Sequence, residues 1–201
     1  MRIRKDLNLN FKNCLFIIHD DIDGAGCEIL AKVYMPNKLC NLNFKTIDAK
    51  NGDVEVQKAI NSGLYDAIIM GDCSFRFNES LTLILRYIGA GNQFFLVDHH
   101  KNAMEFESFD WAFISVAELK NGDLVKNSGT ELMYQFLNQQ IEPNQSETIK
   151  TFVELVRNYD TWDWFKDKWQ EPVNLVALFE FDHEMFVVDM VNNIKDRKSV
   201  V

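Results

Sequence analysis

Cysteine is scarce and scattered. The chain has four, Cys14, Cys27, Cys40 and Cys73, and no two are spaced C-x-x-C. That pattern speaks for reduced, intracellular thiols and against a disulfide framework. Cys14 and Cys27 are expected to pack as small apolar residues. Basic residues are outnumbered, 21 Lys and Arg against 30 Asp and Glu, for a net charge of −9. Such a balance leaves no broad surface to track a long nucleic acid. It still admits a small anionic substrate, because bound metal ions reverse the field locally. No apolar run is long enough to span a membrane. Arg2, Arg4 and Lys5 precede Cys14–Ile18, but that run is too short for a signal sequence. The expectation is a soluble, cytoplasmic protein. Internal repeats, low-complexity tracts and a clear linker are also missing.

Histidine is equally rare, and its placement is informative. Three of the four histidines fall in two short motifs, His19–Gly26 (HDDIDGAG) and Asp98–His100 (DHH). Each motif follows an apolar run, CLFII and FFLV respectively. A buried strand that ends in carboxylates and imidazoles is costly unless those groups are paired or coordinated. A divalent metal satisfies them most economically.

The first hundred residues alternate strand-like and helix-like segments. Strands are predicted at Cys14–Ile18, Asn43–Ile47, Ala67–Met70 and Phe94–Val97, and helices at Ala25–Met35, Val54–Ser62 and Ser80–Tyr87. This alternation implies an α/β fold, a parallel sheet with helices on both faces. Functional groups in such sheets gather at the carboxyl ends of the strands. His19, Asp72 and Asp98–His100 each follow a predicted strand. After residue 115 the pattern becomes helical. Ser128 to Glu131 has the form of a capping box, and Asn144 or Ser146 is a candidate cap for the next helix. In that helix Ile149, Phe152, Val153 and Val156 step at three and four, and one further step of four reaches Asp160. Asp160 therefore projects from the apolar face and needs a partner. The tail from Pro172 to Ile194 reads as one or two further helices. The expected organisation is a metal-binding α/β core over 1–115 and a helical part over 116–201 completing the same domain.

Each signal has a plainer reading. His19, Asp21 and Asp23 alternate and would share one side of an extended strand end, or form an acidic, helix-capping turn. An EF-hand reading fails, because Leu30 stands where a bidentate Glu is required. The string DIDG also resembles the nucleophile loop of haloacid-dehalogenase-type phosphatases, but that leaves His19 and the DHH triplet without a role. Asp72 by itself reads as a turn residue or helix N-cap before it reads as a ligand, and gains weight only from lying at the same sheet edge as His19. Neighbours on a strand point in opposite directions, so Asp98, His99 and His100 cannot all bind one ion. Trp162, Trp164 and Trp169 read as core residues or as base-stacking groups. Lys101 and Arg76 read as solvated charges or phosphate contacts, Thr130 as part of a cap or of an anion pocket, and His183 as a surface or capping residue.

Taken together, HDDIDGAG, GDCS, LVDHHK and NYDTWDW, in that order, closely resemble the four motifs of the DHH phosphoesterase superfamily. SGTELMYQFL and YDTWDW look most like its short-oligoribonucleotide exonuclease branch, the nanoRNases. The resemblance covers Cys14 to Trp164. It implies two metal ions, usually manganese, with Mg²⁺ or Co²⁺ as substitutes. It puts His19 and Asp21 on one ion, Asp23, His99 and Asp160 on the other, and Asp72 on both. It puts His100 on the substrate phosphate and Asp98 in support of the histidines; Lys101 and Thr130 are added as substrate contacts from their own positions beside these motifs. Four ligand aspartates balance two divalent charges, and mixed O/N ligation suits Mn²⁺. The implied activity is hydrolysis of short oligonucleotides to nucleoside monophosphates. Cyclic nucleotides or cyclic oligonucleotides are the alternative substrates, and a non-catalytic nucleotide-binding or assembly module is the alternative of another class. Nothing after Trp164 resembles the second, DHH-associated domain of catalytic members. The sequence leaves a homodimer open.

Overall fold

The computed structural model describes residues 11–35, 41–120, 122–141 and 146–196. Cys40, the basic residues before Lys12 and the candidate cap Asn144 lie outside them.

Five parallel strands form the central sheet: β1 (Asn13–His19), β2 (Asn41–Ile47), β3 (Ala67–Gly71), β4 (Gln93–Asp98) and β5 (Ala112–Ile114). Their spatial order is β2-β1-β3-β4-β5. The first four coincide with the strands predicted from the sequence. Because side chains alternate along a strand, each run feeds two cores. Phe16, Ile18, Ile69, Phe95 and Val97 face one, and Leu15, Ile17, Ile68, Met70, Phe94 and Leu96 face the other.

Helix α1 (Ile22–Tyr34) covers the first face. Helices α2 (Gly52–Ser62) and α3 (Asn78–Gly89) cover the second. The chain thus leaves β1 in one direction to β2 and returns to its other side as β3. That reversal opens a crevice at the carboxyl ends of β1 and β3, where ligands bind in open α/β sheets.

The helical part lies on the α1 face. It comprises α4 (Gly129–Gln140), α5 (Glu147–Asp160), the short α6 (Asp163–Asp167), α7 (Glu171–Phe181) and α8 (His183–Lys195). Leu132, Phe136, Phe152, Val156, Leu175 and Met190 share one apolar cluster with Phe16 and Val97 of the sheet. Ser128 caps α4 by accepting from Glu131 N at 3.2 Å, and Ser146 caps α5 by accepting from Ile149 N.

The structure departs from the sequence reading in three places. Strand β5 went unrecognised because three residues are too few to show a period. The segment after residue 115 begins with an antiparallel hairpin, β6 (Ala117–Lys120) and β7 (Asp123–Lys126), before any helix. The capping box is only half made, because the Glu131 carboxylate pairs with Lys120 instead of reaching back. Among the described residues no helix is long and apolar enough to cross a membrane.

Candidate metal centre

Strand β1 ends at His19, and α1 begins three residues later. The expected alternation of His19, Asp21 and Asp23 along a strand is therefore wrong. Asp21 is the N-cap of α1, accepting from Asp23 N and Gly24 N at 3.0 Å, and Asp23 sits in the first helical turn. The plain reading of this motif as a capping turn and the metal reading are both compatible with the geometry. The Asp21 Oδ2 that is not capping accepts from His19 Nδ1 at 2.7 Å. A side chain at Gly24 would put Cβ 2.1 Å from the His19 carbonyl oxygen, so only glycine permits this turn.

Asp72 follows β3 with φ +58°, a left-handed conformation tolerated best by Gly, Asn and Asp. Its N–H still donates to Val97 O at 3.0 Å, extending the sheet by one rung while the side chain turns into the crevice. Asp98 is the last residue of β4 and fully buried. His99 and His100 lie beyond the strand, which frees them from alternation, and their rings sit side by side with centroids 4.3 Å apart. Asp160 ends α5.

These side chains converge. His99 Nε2 lies 3.1 Å from Asp72 Oδ1, 3.6 Å from Asp23 Oδ2 and 3.8 Å from Asp160 Oδ2. His19 Nδ1 lies 3.8 Å from Asp72 Oδ2. His100 Nδ1 donates to Asp98 Oδ1 at 2.8 Å and lies 3.9 Å from Asp72 Oδ1. Among the described residues, three groups have ligand atoms within 4.8 Å of one another: His19–Asp21–Asp72, Asp23–His99–Asp160 and Asp72–His99–His100. Asp72 belongs to two of them.

The electrostatics are those of a site short of positive charge. Burial pushes the Asp72 carboxyl well above its ordinary range, and the charges of Asp23, Asp21, Asp98 and Asp160 push it further. Burial and then the Asp23 and Asp21 charges raise Asp160 to about 8. The hydrogen bond to Asp21 raises His19, and the bond to Asp98 raises His100. Burial works to raise Asp21, but its bonds to His19 and Gly24 N hold it below the ordinary value. Asp72 Oδ2 and Asp98 Oδ2 are buried without a hydrogen-bond partner. Crowded carboxylates and an orphaned buried oxygen beside imidazole nitrogens are the donor set of a hard or borderline divalent cation. The residues present therefore fit a metal centre.

The remaining candidates separate. Lys101 is exposed at the start of a 3₁₀ turn (Lys101–Phe106), directly after His100. Arg76 is exposed on the loop after Asp72, its backbone N–H bound to Asp53 Oδ2 at 2.9 Å. Thr130 does not line an open anion pocket. It is fully buried, with its N–H on Asp23 Oδ1 and its hydroxyl on the Asp23 carbonyl, both at 2.8 Å. The reading of Trp162 as core fails, because it is 68% exposed, whereas Trp111 is the buried indole. His183 opens α8 with its ring 4.7 Å from that of Phe179. Cys14, Cys27 and Cys73 are buried and outside any disulfide, and burial pushes the Cys27 and Cys73 thiols well up. Sequence reasoning missed Gly129 and the reason for Gly26, although both stand inside quoted motifs.

No family model matches the chain. Over 175 residues, 83% of its length, it is 31% identical to the oligoribonuclease NrnB of Bacillus subtilis and covers 43% of that protein. Over 156 residues, 72% of its length, it is 26% identical to a 3′,5′-cyclic-nucleotide phosphodiesterase of Helicobacter pylori and covers 42% of it. The chain thus spans less than half the length of both relatives. Two manganese-bound RecJ exonuclease structures share the fold. One, from Thermus thermophilus, superposes with a TM-score of 0.51 at 12% identity over 74% of this chain and 21% of that one. The other gives 0.56 at 13% identity over 91% of this chain and 51% of that one. Its four motifs gather at one sheet edge, and the chain is similar in sequence to an oligoribonuclease and in fold to the RecJ exonucleases, in keeping with its resemblance to the DHH phosphoesterases.

Proposed function

We propose that this chain carries the metal centre of a manganese-dependent phosphodiesterase that cleaves short oligonucleotides to nucleoside monophosphates. The observation that carries the reading is Asp72, a buried carboxylate with one orphaned oxygen that groups with His19 and Asp21 and lies 3.1 Å from His99 of the Asp23–His99–Asp160 group. In this reading His19 and Asp21 hold one ion, Asp23, His99 and Asp160 hold the other, and Asp72 bridges them. Two bound ions would supply the Lewis acidity that activates water and offsets charge on the phosphoryl oxygens.

The other residues orient and neutralise. Asp98 accepts the His100 Nδ1 proton, which fixes the ring and turns Nε2 away from Asp98. A proton on Nε2, favoured by the raised pKa, is then available to a phosphate oxygen. Lys101 adds a second positive group beside it. Thr130 serves the site from behind, through Asp23. The buried cysteines outside any disulfide suit a reducing cytoplasm.

A second reading, a cyclic-nucleotide phosphodiesterase, is supported by the Helicobacter pylori relative. Both are separated by one assay: metal-stripped protein given Mn²⁺ and a panel of dinucleotides, longer oligomers, 3′,5′-cyclic nucleotides, cyclic dinucleotides and pyrophosphate. The expected result is Mn²⁺-dependent conversion of dinucleotides to monophosphates. Selective opening of the cyclic substrates establishes the second reading. Binding without turnover of any substrate, with any divalent ion, overturns both and leaves a non-catalytic module.

A further inference from the structure

The first turn of α4 touches both carboxylates at the heart of the centre. Gly129 N donates to Asp23 Oδ2 at 2.5 Å and Thr130 N to Asp23 Oδ1 at 2.8 Å. These are the first two N–H groups of the helix, which have no partner inside it. Their positive end of the helix dipole faces a carboxylate that is fully buried. Each Asp23 oxygen thereby keeps a defined direction, with the rest of its lone-pair capacity left for a ligand. The Thr130 hydroxyl adds a third bond, to the Asp23 carbonyl.

Gly129 has a further relationship, with Asp72. A Cβ on Gly129 would stand 2.5 Å from Asp72 Cβ and 2.8 Å from both Cγ and Oδ1. Its backbone φ is not in the left-handed region, so glycine is required for space and not for conformation. Asp72 occupies the room that a side chain would take. Gly26 does the same for Thr130, since a Cβ there would lie 2.0 Å from Thr130 Oγ1. Two glycines, one on α1 and one on α4, thus let the helices close on the carboxylates.

We propose that Gly129 and Thr130 are positioning residues of the metal centre: one helical turn sets the direction of Asp23 and the seat of Asp72, and so the distance between the two cation positions. The proposal rests on the two-ion reading above. Thr130 acts on Asp23 alone and so on one position. Gly129 acts on Asp23 and Asp72 and so on both.

The test is Mn²⁺ binding to metal-stripped protein, followed by calorimetry and by electron paramagnetic resonance, with the ion-free melting temperature recorded for each variant. Wild type is expected to bind two ions with a spin-coupled spectrum. Thr130→Val is expected to weaken one of the two at least tenfold, and Thr130→Ser to restore it. Gly129→Ala is expected to weaken both and to lose the coupling. If Gly129→Ala does not fold, the Thr130 pair decides. Wild-type affinities and coupling in Thr130→Val overturn the proposal. So does an affinity loss that Thr130→Ser fails to restore, or one matched by an equal loss of ion-free stability. A wild-type chain that binds no divalent ion overturns the two-ion reading and the proposal together, which distinguishes the two failures.

Discussion

The His100 ring is held by Asp98, through Nδ1 at 2.8 Å, and Asp98 also accepts from His100 N at 3.1 Å. One buried carboxylate therefore fixes both the backbone and the tautomer of the imidazole. Asp98→Asn presents an N–H where an acceptor is needed. It should lower kcat with little change in bound metal, by roughly 10²–10⁴-fold if His100 works as an acid or charge donor. His100→Ala should do the same, and the double variant should be no worse than the worse single one. Steady-state kinetics with parallel Mn²⁺ titration checks this, and additive losses would separate the two residues.

Asp72→Asn is the informative change at the bridging position. Asn is close in shape and also tolerates the left-handed backbone, so the local geometry survives. Hydrolysis should fall more than a thousandfold if the bridge is essential. Ion-free stability should fall less steeply with rising pH than in the wild type, because the carboxyl whose ionisation burial and its neighbours oppose is gone. Activity near wild type would remove Asp72 from the bridging role.

The ion-free protein should lose stability as the pH rises. Asp160 is raised to about 8 in the fold, whereas an unfolded carboxyl titrates near 3.9. Asp72 is raised too, and so are His19 and His100. In each case the folded state holds its proton longer, so the stability these groups contribute at low pH is lost between the unfolded and the folded pKa. Asp21, held low, has the opposite sign, and its contribution is lost only as the pH falls towards its folded value. In EDTA, melting temperature should therefore drop between pH 5.5 and 8. With Mn²⁺ the trend should reverse, since ligands must be deprotonated to bind. A flat or rising EDTA profile would contradict the picture of carboxylates crowded without a counter-ion.

Binding should depend weakly on salt and on substrate length. With a net charge of −9, affinity comes from the centre and a few local groups such as Lys101. The slope of log K against log salt is about −0.7 per phosphate contacted on a single strand. A slope equivalent to one or two contacts is expected, with little gain beyond a few nucleotides. Tight, steeply salt-dependent binding of a long single strand would point instead to a processive exonuclease.

Much of this architecture was legible because two simple periods coincide with chemistry. CLFII and FFLV are nearly pure apolar runs, as strands covered on both faces must be, and polar residues appear where each run stops. Asp160 announced itself by standing on the apolar face of α5. The rest depends on neighbours that sequence spacing does not encode. Nothing local says that β3 adds beside β1, so nothing local brings Asp72 to His19. The three residues of β5 carry no period. Gly129 looks like an ordinary first residue of a helix. Its significance is a clearance from Asp72, far away along the chain, which only the packed structure reveals.

Asp160 is the last residue of α5, and of the proposed ligands it lies furthest along the chain. Without α5 in place, the crevice would hold Asp21, Asp23 and Asp72 but not Asp160. Docking α5 brings a fourth carboxylate towards three others, a step opposed by their mutual repulsion. A cation that captures Asp160 offsets that repulsion at the moment of docking, so its binding energy becomes folding energy for the helical half. Metal supply would then govern the protein's maturation as well as its chemistry, with α5 as the element whose attachment waits for it.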